Sequence, residues 1–224
     1  TPIFVHVDPP IKTNGSIREW DELNNEANNS ITVGGWQFVY GELSSGAYKI
    51  ADTQNLSVIV WGANSSANGR VYVADLESNI GWSRVYAIGV NSSGANTTND
   101  FDNIDNLLGM SSFGDSVKNT YTIGGQIINL SSLTIFNHLV SSVPFANSTN
   151  NTNFITGILW DGSDDIGDGE YSEDDLEDLI FFTTINKDKA GAYGTYDYEV
   201  RIPANLRKYS TAESTKVVFY TEVL

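Results

Sequence analysis

Apolar residues recur at every second position along most of this chain, the period of a strand with one buried face. The pattern predicts strands at residues 31–40, with Gly34-Gly35 as a bulge or kink, and at 56–62, 71–74 and 84–90. It resumes at 121–128, 133–140, 154–160, 179–185, 193–202 and 216–223. In 193–202 the alternation places Tyr196, Tyr198, Val200 and Ile202 on one face, and the last strand does the same with Val217, Phe219, Thr221 and Val223. Asn-, Ser- and Gly-rich stretches at 63–69 and 91–99 read as connections. Helical spacing shows twice. Ser16 and Glu19 form a capping box for a short helix to about Leu23, and Phe101, Ile104, Leu107 and Leu108 form a stripe with Asp100 as N-cap and Gly109 as stop. Many short strands and two brief helices predict an all-β protein, an antiparallel β-sandwich, with Trp36, Trp61 and Trp160 in its core.

The first eleven residues form a strand of another kind. Ile3, Val5, Val7 and Ile11 alternate, Phe4 adds a further apolar side chain, and Pro2, Pro9 and Pro10 stand at the two ends. Proline donates nothing to a ladder and confines a strand to an edge or a terminus. The division is therefore a terminal strand, 1–11, ahead of a single sandwich head, 12–224. Two uses are open to that strand: closing its own sandwich, or projecting to complete the sheet of a neighbouring copy.

Charge narrows the function. The chain has 28 acidic and 12 basic residues, a formal charge of −16, so it has little with which to neutralise nucleic-acid phosphates. It has no cysteine, hence no disulfide framework and no thiolate metal site. No segment approaches the roughly 18–20 consecutive apolar residues that span a bilayer. A start at Thr1 rather than Met suggests a processed, mature form. Asn-x-Ser/Thr triplets begin at Asn14, Asn28, Asn55, Asn64, Asn91, Asn96, Asn129, Asn147 and Asn150. These nine are about twice the number expected from 23 Asn and 41 Ser plus Thr, and most fall in predicted loops or strand ends, where N-linked glycans attach.

The sharpest motif for chemistry lies at 164–176. Asp164, Asp168, Gly169 and Asp175 fit positions of a calcium loop, with Ile166 where a third oxygen ligand belongs and Asp161 and Ser163 as further oxygens upstream. A solvated acidic turn running into a short helix capped by Ser172 explains the same residues. Asp174 and Asp178 have the pairing of glycosidase carboxylates but sit in a charge run, the usual signature of a solvated face. His6 and His138 stand alone within predicted strands. With no nucleophile elbow, P-loop, dinucleotide fingerprint or His-Glu-x-x-His, the expectation is a protein without catalytic activity. Trp20 and Trp82, near turns, are the rings best placed to stack on sugars.

An alternating, proline-flanked N-terminal strand ahead of a cysteine-free, sequon-rich, acidic β-sandwich resembles the subunit of the archaeal thread filaments of Sulfolobales. More loosely, it resembles other archaeal donor-strand pilins. The resemblance spans the whole chain and rests on overall pattern. It implies an immunoglobulin-like or pilin-like head completed by the N-terminal donor strand of the neighbouring subunit, with Ile3, Phe4, Val5, Val7 and Ile11 filling the groove. It also implies a head-to-tail homopolymer: a glycosylated cell-surface filament serving adhesion or biofilm formation. A second likeness lies in Asn14-Gly15-Ser16-Ile17-Arg18-Glu19-Trp20 and Tyr198-Glu199-Val200-Arg201-Ile202-Pro203. These look like the opening and the penultimate strand of certain carbohydrate-binding sandwiches, with Asn14 in place of the usual acidic residue. That likeness implies a secreted binding module with Trp20 or Trp82 at the glycan.

Overall fold

A computed structural model of the chain describes residues 35–44, 47–51, 57–62, 68–75, 79–90, 99–128, 130–148, 152–163, 169, 171, 177–204, 206 and 217–223. The terminal strand 1–11, the capping box and Gly34 lie outside these residues, and so does the acidic stretch 164–168. What is described is predominantly β, and every ladder is antiparallel.

The larger sheet has six strands. β5 (Gly69–Asp75), β12 (Ile155–Asp161), β13 (Leu179–Thr184) and β17 (Val217–Val223) run in the order β12-β13-β5-β17. The outer edge of β12 is shared by two short strands. Phe145–Asn147 (β11) pairs with Ile155–Gly157, and Val85–Ala87 (β6) pairs with Leu159–Asp161. The second sheet is built on β1 (Trp36–Gly41) paired with β16 (Tyr198–Pro203) from Trp36↔Pro203 to Gly41↔Tyr198. β3 (Ala47–Ala51) meets β1 only at Tyr40↔Ala51, and it also carries β2 (Leu43–Ser44) and β4 (Ser57–Gly62).

The two sheets pack face to face through one apolar layer. Trp36, Val200 and Ile202 from the second sheet meet Val73, Ile158, Trp160, Leu179 and Phe181 from the first. The other face of the six-stranded sheet is covered as well: Tyr72, Ala74, Leu159, Ile180 and Phe182 pack with Ile135, Val140, Val143 and Phe145. Burial on both sides explains why 71–74 and 179–182 are unbroken apolar runs rather than alternating ones.

Several predicted strands are corrected by turns. The stretch 133–140 is a hairpin, β9 (Ser131–Ile135) and β10 (His138–Val143), turning at Phe136 and Asn137 with φ 43° and 66°. Such a turn is normally signalled by glycine, and here it carries none. The stretch 121–128 opens in a helix, α2 (Val117–Tyr121), and continues as β7 (Thr122–Ile123) and β8 (Gln126–Ile127) around Gly124-Gly125. In 193–202 the strand breaks at Asp197, between β15 (Gly194–Tyr196) and β16, and β15 pairs with β14 (Lys189–Gly191). The stretch 84–90 holds a 3-10 turn at Trp82–Arg84 and then only three strand residues, Val85–Ala87.

The predicted helix is present as α1 (Asn99–Leu107), two residues longer at its start, so Asp100 falls in the first turn instead of at the cap. Its Oδ2 accepts the Gly89 N–H at 2.8 Å. Gly109, at φ +65°, closes the helix in a Schellman motif, with Met110 N–H donating to the Asp105 carbonyl. The Asp105 carboxylate then accepts the N–H groups of Val117 and Lys118, and Ser116 Oγ accepts from Asn119, which together start α2.

Candidate functional site

β17 is built like an interior strand and placed at an edge. It pairs with β5 without interruption from Val217↔Asp75 to Val223↔Gly69, and among the described residues its other side pairs with nothing. Gly69 makes the close approach possible: a Cβ there would lie 2.2 Å from the Glu222 carbonyl oxygen. Both faces of β17 are apolar. Val217 and Phe219 pack on the inter-sheet core, and Tyr220 packs on the outer layer. Yet Val217 to Thr221 are all only half-buried, whereas Val71, Tyr72, Val73 and Ala74 on the neighbouring strand are at most 1% exposed. Phe219 and Val39 of β1 flank the same buried group, Val71, Ile185 and Tyr198. On that side β1 is itself unpaired from Trp36 to Val39, among the described residues. A half-covered apolar seam therefore runs between the two sheets beside an open backbone edge.

One buried ionic cluster fixes the edge in place. Glu222 Oε2 accepts from Arg70 Nη1 and Tyr72 Oη, each at 2.7 Å, while Oε1 accepts the Phe136 N–H at 2.8 Å. Arg70 Nη1 also donates to the Thr134 carbonyl at 2.9 Å. Three segments, β17, β5 and the β9–β10 hairpin, thus meet at one carboxylate, and the left-handed Phe136 is held where its N–H is used. The Phe136 ring packs on Trp82 at 4.3 Å, and Trp82 lies 5.2 Å from Tyr220 and 5.1 Å from Tyr72. Burial raises the Tyr72 hydroxyl pKa well above its ordinary value, and the hydrogen bond to Glu222 adds to the rise. Burial raises Tyr220 in the same way.

The residues singled out from the sequence fall unevenly. Ile3, Phe4, Val5, Val7 and Ile11 lie outside the described residues, as do Trp20 and His6. Of the nine glycan acceptors only Asn147 is described, exposed at the end of β11. The following Ser148 is buried and bonds Thr156 and the Glu199 carbonyl, so the sequon starts from a fixed backbone. Asp164, Asp168 and Asp175 lie outside. Upstream, Asp161 is buried and accepts the Gly81 N–H at 2.7 Å, the Ser163 N–H at 2.9 Å and Ser163 Oγ–H at 2.8 Å, so its carboxylate is spent on closing a loop. Among the described residues no three metal-ligating side chains gather. Trp36 and Trp160 are core residues, and Trp61 is in β4. Trp82 is half-buried beneath Phe136 and Tyr220 instead of forming an open platform. His138 is half-buried at the start of β10.

Sequence reasoning missed Glu222, Arg70 and Arg201. The available signal was a lone charge inside an otherwise apolar strand. No described helix is long and apolar enough to cross a membrane. Compared with known protein families, with characterised proteins and with solved structures, the chain matches none.

Proposed function

We propose that this protein is the structural subunit of an extracellular, glycosylated filament that grows head-to-tail by strand donation. In this reading residues 1–11 of one copy pair along β17 of the next, with Ile3, Val5 and Val7 reaching the seam beside Val39 and Phe219. The observation that supports it is β17 itself, an apolar strand half-buried on both faces and unpaired on one side among the described residues. Such an edge is a template for strand addition. Backbone hydrogen bonds supply adhesion, and alternate side chains supply register. Because donor and acceptor are different surfaces of one molecule, the contact is heterologous and need not close, so it propagates as a fibre.

The test is negative-stain microscopy of the chain with and without residues 1–11. Fibres from the full chain and none from the deletion are expected. Compact monomers from both would overturn the proposal in favour of a secreted carbohydrate-binding module.

A further inference from the structure

A cleft of about 350 Å³ lies away from β17, walled by Asp115, Asn119, Thr120, Asn147 and Arg201, with Ile128 among its apolar residues. Its volume is at the small end of the range for small-molecule sites. Arg201 is the unusual member. Its guanidinium sits 4.1 Å over the Trp36 ring, which fixes its plane. Among the described residues, its side chain makes one hydrogen bond, from Nη1 to the Asn147 carbonyl at 3.3 Å, and its buried Nε has no partner. The ion pairs among the described residues are Arg70–Glu222 and Lys118–Asp102, so no described carboxylate pairs with Arg201. In a chain carrying 28 acids against 12 bases, Arg201 is a half-buried arginine with no described carboxylate within ion-pair distance. Asp115, on the same wall, acts on it only from further away and leaves its fork open to an anion. Burial lowers its pKa, and the nearby Tyr121 and Asp115 offset part of that fall.

The other walls choose among anions. Asn119, Thr120 and the exposed Asn147 amide offer both donors and acceptors, and Asp115 offers acceptors for hydroxyl groups. An arginine fork suits a carboxylate, and the polar rim suits a polyhydroxyl ring. We propose that this cleft is a subsite for a carboxylate-bearing sugar, with Arg201 on the carboxylate and the Asn119–Thr120 wall on the hydroxyls. Two sources carry that chemistry: a glycan attached at Asn147 on the rim, or a sugar from outside the subunit. The site is independent of filament assembly.

The probe is glucuronate, titrated by calorimetry into the full chain made without glycans, beside glucose and acetate. Glucuronate is expected to bind at least tenfold more tightly than either. Arg201→Lys, which keeps the charge and loses the fork, should weaken it at least tenfold. Asn119→Ala with Thr120→Val, on the rim, should bring glucuronate down to the level of acetate while leaving Arg201 over Trp36. Equal binding of glucose, equal binding of acetate, or no saturable binding of glucuronate each overturns the proposal. Glycosylated protein then separates the sources. Blocked binding restored by Asn147→Gln identifies the attached glycan, and unblocked binding identifies an external sugar.

Discussion

The two edges of the six-stranded sheet are finished differently. On the β12 side, β11 and β6 divide the edge between them and cover it almost end to end, Phe145↔Gly157 through Asn147↔Ile155 and then Ala87↔Leu159 through Val85↔Asp161. The neighbouring side chains Ile158, Leu159 and Trp160 are fully buried. On the β17 side a strand of equal length and comparable hydrophobicity is half-buried, with no described partner beyond β5. A natural edge is normally blunted by charge, proline, a bulge or a covering strand. The first edge is covered. Among the described residues the second carries none of those devices apart from Glu222, and that carboxylate is turned inward on Arg70. The difference teaches that burial, more than strand sequence, distinguishes a structural edge from one left available.

The largest expected effect comes from unfastening the open edge. Glu222→Ala leaves Arg70, whose side chain is 11% exposed, without its counter-charge, and strips acceptors from Tyr72 and the Phe136 N–H. Breaking a buried pair from one side typically costs about 3–5 kcal/mol. Urea denaturation should show that loss, and Glu222→Gln should recover part of it by retaining an acceptor. A loss below about 1 kcal/mol would mean that the cluster does not anchor β17.

The next effect probes the closed edge. Gly157 lies between Phe145 on β11 and Phe182 on β13, and a Cβ there would stand 2.4 Å from Phe182 Cε1 and 3.0 Å from Phe145 Cε1. Phe182 is fully buried and has nowhere to swing. Gly157→Ala is expected to destabilise by about 1–3 kcal/mol, the usual range for overpacking a core. Its thermal unfolding midpoint should fall, while fibres still form below that midpoint. Lost fibres at temperatures where the variant stays folded would erase the distinction between the edges.

Much of this was legible from residue spacing, and the failures share a cause. β12, β13 and β17 were found within a residue or two at each end because a long apolar run leaves the backbone no polar alternative. The hairpin at Phe136-Asn137 was hidden because its positive φ is held by distant groups, Glu222 and Trp82, instead of by a glycine. The break at Asp197 was hidden likewise. There the backbone leaves its ladder to donate to the Gly41 carbonyl, and the carboxylate accepts from the Asp188 N–H. The site was less legible than the fold. Arg70 and Glu222 are 152 positions apart, and Arg201 is distinguished by an Nε that has no partner among the described residues, which no spacing rule detects.

The smallest effect on stability should be the most telling for assembly. Val218 lies on β17, half-buried and outside the packed apolar clusters, next to the side that pairs with nothing described. A lysine there can snorkel its charge to water while its stem stays against the sheet, so Val218→Lys should change stability by no more than about 0.5 kcal/mol. An incoming strand would have to desolvate that charge, the device by which natural edges refuse partners. The expected outcome is a circular-dichroism melt close to wild type together with no fibres by microscopy, the inverse of Gly157→Ala. Normal fibres from Val218→Lys would move the acceptor away from β17. Because the fold is left intact, that result would count against this edge alone and leave strand donation elsewhere on the molecule to be judged by the deletion of residues 1–11.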